Sequence, residues 1–193
     1  ENSQDKVIMN KRDIKLPGAH NLENYLAAIA AVSEYAGAEA IKKTAQEFTG
    51  VEHRMEFVRK VNGITYYNDS IATSPNRVMS GCLSLFSRKI ILIAGGYDKS
   101  IPFDKLGECI NEKVKVVILM GQTADKIEKA IKNSSLYSEK NIKILRSDSM
   151  YSSVETANSY AKEDDIVVLS PACAAFGMYK NFEERGKDFK RIV

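Results

Sequence analysis

From about position 54 onward the sequence alternates short apolar runs with amphipathic stretches of helical period, and few folds accommodate that rhythm. Runs at residues 90–94, 116–120, 142–145 and 166–169 are β-branched-rich and bounded by polar residues, so each predicts a strand buried on both faces. Between and after them, residues 103–110, 124–131, 151–161 and 182–193 predict helices. Strand–helix alternation of this kind implies an α/β fold: a Rossmann-like, mostly parallel sheet with helices on both faces. The series opens with a β-hairpin. Met55, Phe57 and Val61 are apolar at even spacing, Asn62-Gly63 suits both positive-φ positions of a type I′ turn, and residues 64–67 return as the second strand. Ser74-Pro75 then reads as the N-cap and first residue of a helix carrying Val78, Met79, Cys82, Leu83 and Phe86 on one face.

The first 51 residues behave differently. A possible strand at residues 7–9 leads through Leu16-Pro17-Gly18 into a helix starting near His20, with Leu22, Leu26, Ile29 and Ala30 on its apolar face and Gly37 at its end. A second helix carries Ile41, Ala45 and Phe48 and stops at Gly50. So little structure cannot bury a core unaided, so residues 1–51 are expected to be the tail of a preceding domain and residues 52–193 a domain of their own.

Composition narrows the function. A hydrophobic fraction of 44% and a charged fraction of 27% are those of a soluble globular chain. The net charge of +3 arises from 28 basic and 25 acidic residues without long runs of one sign, so no nucleic-acid surface is marked. No apolar run approaches the roughly 20 residues of a membrane helix and no secretory leader opens the chain, which gives a cytoplasmic expectation without membrane contact. Cys82, Cys109 and Cys173 lack zinc-site spacing and read as reduced thiols, and two histidines are too few for a histidine-rich metal centre.

Residues 95–100, 121–125 and 170–176 leave the carboxyl ends of the expected strands, where an open α/β sheet binds ligands, and small and polar residues cluster there. Residues 95–100, GGYDKS, lack the glycine that must precede the lysine of a phosphate-binding loop, and no GxGxxG is present either. Spacing alone makes Lys99 a solvated loop lysine more readily than a ligand. Asp69 and Thr73 lie between a strand end and a helix start, where capping and an Asx-turn at Asn68 or Asp69 compete evenly with a binding role. Asn21 and Asn24 share one face of a helix's first turn. His53-Arg54 taken alone reads as a surface pair. In SPACAAFGMYKNFEERG, the aromatics Phe176, Tyr179 and Phe182 form either a hydrophobic staple or the wall of a small anionic pocket.

Taken in order, LPGAHNLEN, HRMEF, NGITYYNDSIATSPN, IAGGYDKS and LSPACAAFGMYKNFEERGKDF resemble the Mur ligase family along the whole chain. The pairing of NDS-x-AT with SPACA and NFEERG is the specific part, and it points to D-glutamate as the amino acid. The resemblance implies the end of a central ATPase domain over residues 1–51 and the amino-acid-binding domain over 52–193. It implies a cytoplasmic ligase of cell-wall synthesis that uses ATP and Mg²⁺ to add D-glutamate to UDP-N-acetylmuramoyl-L-alanine through an acyl phosphate. Carried over by position, Asn21 and Asn24 would border the adenine, Arg54 and Asp69 would face the phosphates and ribose, and His53 would stand beside them. Thr73 and Lys99, side by side at the rim of the sheet, would hold a substrate carboxylate, with Ala175, Phe176 and Phe182 as the opposite wall. Two departures stand out: Ile71 replaces a lysine in NDSKAT, and Ala175 replaces a serine after SPACA, leaving backbone amides to hold the glutamate there. The phosphate loop, the carbamylated lysine and the metal-binding acids of the family would lie before Glu1, so the chain alone is expected to be catalytically silent and to bind D-glutamate weakly if at all. The competing readings are another Mur ligase or folylpolyglutamate synthetase, and a non-catalytic α/β binding module.

Overall fold

The computed structural model describes residues 7–16 and 18–193, and within them the chain divides into two compact units, Glu1–Gly50 and Val51–Val193. In the first unit, residues 7–10 carry no regular structure, and a 3-10 turn follows at Lys11–Asp13, capped by Asn10. The strand expected at residues 7–9 is therefore absent: every strand among the described residues belongs to the second unit, and an unpaired strand leaves its backbone groups unsatisfied. Pro17 of the LPGAHNLEN segment lies outside the described residues. Helix α1 (Ala19–Val32) ends before Gly37, which instead precedes helix α2 (Ala38–Glu47). Ile41 and Ala45 of α2 are buried, whereas Leu26 of α1 is 59% exposed.

The second unit is a six-stranded sheet in the order β1-β2-β6-β3-β4-β5. Strands β1 (Glu56–Val61) and β2 (Ile64–Asn68) form the hairpin, and Asn62 and Gly63 take φ of 49° and 80° as a type I′ turn demands. A register shift between Phe57 and Arg59 bends β1. The remaining strands, β3 (Ile90–Gly95), β4 (Val114–Met120), β5 (Lys143–Ser147) and β6 (Ile166–Leu169), pair in parallel, with β6 inserted between β2 and β3. Strand β5 starts one residue later than the apolar run suggests, because Ile142 closes a turn by donating its N–H to the Ser138 carbonyl.

Side chains alternate across the sheet and build a core on each face. Leu92, Val117, Leu119 and Val168 pack with residues of α3 (Pro75–Ser80), α4 (Cys82–Leu85), α5 (Asp104–Lys113) and α6 (Ala124–Asn133). Ile91, Ile93, Ile118, Val167 and Leu169 face α7 (Met150–Tyr160) and α8 (Phe182–Ile192), contributing Val154, Ala157 and Phe189. The helix expected to run from Pro75 to Phe86 is broken at Gly81, whose backbone (φ −92°, ψ −109°) leaves the helical region. All three cysteines are free thiols, and no helix among the described residues is long and apolar enough to cross a membrane.

Candidate functional site

Because β2, β6 and β3 are parallel neighbours, the segments leaving their carboxyl ends emerge at one edge of the sheet. The β2 segment carries Asp69 and Thr73, the β6 segment Ala175 and Phe176, and the β3 segment Lys99. Strands lie about 4.8 Å apart, so β2 and β3, separated by β6, are about 10 Å apart. Thr73 and Lys99 thus leave strands on either side of β6 rather than adjacent ones.

Local chemistry fixes each segment. Beyond β2, the Asn68 side chain accepts the Ser70 N–H (3.2 Å), making the Asx-turn. Ser74 occupies the N-cap position of α3 without a side-chain cap bond, and Thr73 beside it is half-buried. Beyond β3, Asp98 accepts the Ser100 N–H (2.8 Å) and pairs with Lys126. Lys99 between them is exposed and has no hydrogen-bond or ion-pair partner among the described residues. Beyond β6, Tyr97 donates its N–H to the Ala174 carbonyl (3.0 Å), and its ring meets Phe176 edge-on with centroids 5.9 Å apart. Ala175 is buried, whereas Phe176 is 55% exposed.

The residues that the resemblance assigns to the nucleotide divide by exposure. Arg54 is exposed, but Asp69 is buried and both its oxygens are occupied: Oδ1 accepts the Met55 N–H (3.2 Å) and Oδ2 the Ser170 hydroxyl (2.7 Å). Asp69 thereby ties the hairpin start next to Arg54 onto the β6 segment, and burial pushes its pKa up to about 6 against these hydrogen bonds. Asn21 and Asn24 stand on the first turn of α1 in the other unit, Asn24 exposed and Asn21 half-buried.

His53 is not the surface residue its sequence context suggests. It is 3% exposed, with φ of 65°, and its ring meets Phe182 edge-on at 6.0 Å. Asn68 Nδ2 lies 2.8 Å from His53 Nδ1 and donates to Glu56 Oε2 (3.0 Å), while Asn68 Oδ1 is committed to the Ser70 N–H. That orientation makes Nδ1 an acceptor, so the neutral ring carries its proton on Nε2. Burial lowers the His53 pKa, favouring the neutral ring, although Glu52 and Glu56 pull the other way. Glu52, His53 and Glu56 bring potential ligand atoms within 4.8 Å of one another, but they do not fit a metal ion. Nδ1 is engaged, Nε2 is protonated, and the Lys190 ammonium already bridges Glu52 (2.7 Å) and Glu56 (2.8 Å).

Two polar residues to which sequence patterns assign no individual role, although Arg185 belongs to NFEERG and Thr123 to the segment at 121–125, hold the edge together. Arg185 of α8 is 2% exposed; its Nε donates to Ser70 Oγ (3.0 Å), one terminal nitrogen to the Ser70 carbonyl (2.8 Å) and the other to the Cys173 carbonyl (3.1 Å). Ser70 Oγ in turn donates to the Phe182 carbonyl (2.8 Å). Burial pushes the Arg185 pKa down to about 10, which leaves it charged at neutral pH beneath the β2 and β6 segments. The other is Thr123, which enters below. A concavity of about 620 Å³ opens elsewhere, around Ser149, Tyr151, Tyr179 and Asp188; of the aromatics singled out in SPACAAFGMYKNFEERG only Tyr179 lines it, and none of the residues assigned to glutamate or nucleotide does.

A mostly parallel sheet with an antiparallel hairpin at one edge, helices on both faces and strand-end segments tied together by a buried arginine is a Rossmann-like α/β architecture. Residues 53–173 match the Mur ligase glutamate ligase domain, and the chain belongs to the Mur ligase family. Among curated relatives, it is 53% identical over 188 residues to the UDP-N-acetylmuramoylalanine–D-glutamate ligase of Acetivibrio thermocellus, covering 96% of this chain and 40% of that protein. The equivalent protein of Clostridium botulinum is 50% identical over 190 residues, covering 98% of this chain and 41% of its own length. The chain thus spans about 40% of the length of the curated relatives it matches. Solved structures share the fold at low identity. A UDP-N-acetylmuramate-alanine ligase from Thermotoga maritima has a TM-score of 0.68 at 16% identity, covering 92% of this chain and 38% of its own. A Mycobacterium tuberculosis folylpolyglutamate synthase has a TM-score of 0.66 at 12% identity, covering 91% and 41%.

Proposed function

We propose that this chain is the amino-acid-binding, C-terminal part of a cytoplasmic ATP-dependent ligase that joins D-glutamate to UDP-N-acetylmuramoyl-L-alanine in peptidoglycan synthesis. The names of its relatives at about half identity support the reaction. The observation that carries the site is Lys99, a lysine without a partner at the same sheet edge as Thr73 and Ala175. On this reading residues 1–51 are the end of the central ATPase domain and 52–193 the amino-acid domain.

The chemistry follows from what a carboxylate lacks. It is a poor electrophile until one oxygen becomes a leaving group, which phosphoryl transfer from ATP provides; the amine of D-glutamate then attacks the carbonyl carbon and phosphate departs. Lys99 and Thr73 hold a carboxylate of the incoming amino acid, Ala175 and Phe176 with Phe182 form the wall opposite, and the buried Arg185 adds positive potential below. A lysine–carboxylate contact of this kind contributes about 1.5–3 kcal/mol. With alanine at 175, main-chain amides rather than a hydroxyl meet the substrate there. Within the second unit, Arg54 is exposed and its neighbour Met55 is held by Asp69, so Arg54 is the group offered to the nucleotide phosphates, with His53 and Asp69 supporting it from within. Within the first unit, Asn21 and Asn24 are the residues assigned to the adenine. Mg²⁺ would offset phosphate charge, and this chain contributes no ligand to it. With no GxxxxGK[ST] segment in its sequence, the chain alone forms no amide bond.

Titrating the chain with D-glutamate while following backbone amide shifts by NMR tests the assignment. Saturable shifts around residues 73, 97–100 and 173–176, larger than those given by L-glutamate, are expected; a response absent there or identical for both enantiomers would overturn it.

A further inference from the structure

Beneath the candidate site, one hydroxyl on the segment leaving β4 touches both the β3 and the β6 segments. Thr123, between β4 and α6, is fully buried. Its Oγ accepts the Gly96 N–H (3.1 Å), lies 3.3 Å from the Gly96 carbonyl oxygen as a donor, and sits 3.1 Å from Cys173 Sγ. Its own N–H donates to the same Gly96 carbonyl (3.2 Å). A threonine at an N-cap ordinarily turns its hydroxyl toward the first turn of its own helix. Thr123 occupies that position before α6 and makes no such bond, so its hydroxyl is diverted to the β3 and β6 segments.

The diversion holds Gly96 where little else fits. A β-carbon there would meet the Ala174 carbonyl oxygen at 2.5 Å, and φ is 152°, so the β3 segment is pressed against the β6 segment at the residue Thr123 grips. Lys99 lies three residues beyond Gly96 and Ala175 two beyond Cys173. We infer that Thr123 is a positioning residue for amino-acid binding, setting the separation between the lysine that meets the substrate carboxylate and the Ala175–Phe176 wall. The ligand in this inference, a small amino dicarboxylate, rests on the function proposed above; the loop geometry does not.

The test compares Thr123→Val, which keeps the side-chain shape and removes the hydroxyl, Thr123→Ala, which removes it without added bulk, and Thr123→Ser, which retains it. In Thr123→Val and Thr123→Ala, hydrogen exchange of the Gly96 amide should accelerate by roughly tenfold and D-glutamate should bind roughly tenfold more weakly. Thr123→Ser should restore both. Wild-type exchange at Gly96 in the variants lacking the hydroxyl, or a Thr123→Ser variant as impaired as they are, would overturn the assignment. Wild-type protein that binds no D-glutamate defeats the functional reading, while the exchange comparison still decides the role of Thr123 in the loop.

Discussion

Gly186 of α8 lies directly against His53: a β-carbon at Gly186 would fall 2.2 Å from the imidazole Nδ1 and 3.0 Å from Asn68 Nδ2. Alanine normally stabilises a helix interior relative to glycine, so steric conflict has to outweigh that gain of about 1 kcal/mol. Gly186→Ala is expected to destabilise the chain by about 1–3 kcal/mol, and by less when His53 is also alanine. Urea unfolding of the two single variants and the double variant measures that coupling; equal losses in both backgrounds would show that the ring moves aside freely.

Asp69 gives the second unit a distinctive pH response. Its pKa in the folded chain is about 6, above the ordinary 3.8, so the folded state takes up a proton more readily than the unfolded one. The resulting stability is fully present below about pH 4 and is lost as pH rises through about 6, on the order of 2–3 kcal/mol in all. Asp69→Asn does not titrate, so its stability relative to wild type should increase between about pH 4 and about pH 7. Denaturant midpoints of the two proteins at both pH values check this, and parallel curves would exclude it.

Lys99 is exposed and without a partner, so Lys99→Met should change stability by less than about 0.5 kcal/mol. The same change should weaken D-glutamate about 10- to 100-fold, from the loss of one charge-assisted contact. Calorimetric or NMR titration reads the affinity; an unaltered value would remove Lys99 from the site.

Arg185→Met leaves the Ser70 and Cys173 carbonyls without their donor and should destabilise the chain by about 3 kcal/mol or more. Arg185→Lys should rescue little, because an ammonium does not reproduce the guanidinium fork that reaches both segments. Chemical denaturation of the two variants decides between the planar group and charge alone.

Zinc should leave the thermal midpoint unchanged, since the Glu52–His53–Glu56 cluster already holds Lys190 and presents a protonated Nε2. A rise of several degrees with zinc, reversed by a chelator, would show that the imidazole gives up that proton.

The parallel sheet was legible in residues 90–94, 116–120 and 166–169 because strands covered on both faces need continuous apolar runs, and Asn62-Gly63 announced the hairpin through its backbone demands. The helix break at Gly81 and the early end of α1 were less visible, since apolar spacing continues through both. Candidate site residues were reachable only through family resemblance, which placed Thr73, Lys99 and Ala175 on segments that leave three neighbouring strands. Arg185 and Thr123 lie in NFEERG and the segment at 121–125, yet their roles were hidden for another reason: Arg185 bonds to residues 115 and 12 positions away and Thr123 to residues 27 and 50 away, and polar residues carry no periodic signal of such pairing. The same holds for His53, whose burial depends on Asn68 and Gly186.

The insertion of β6 between β2 and β3 also sets when the edge can form. Thr65 pairs with Ile166, about a hundred positions downstream, and loop closure on that scale delays such pairing. During synthesis the hairpin and β3 emerge long before the strand that joins them, and until it arrives each presents an unsatisfied backbone border. The rim that would receive an amino acid therefore forms only late in synthesis, and a nascent chain halted before residue 166 has no such rim.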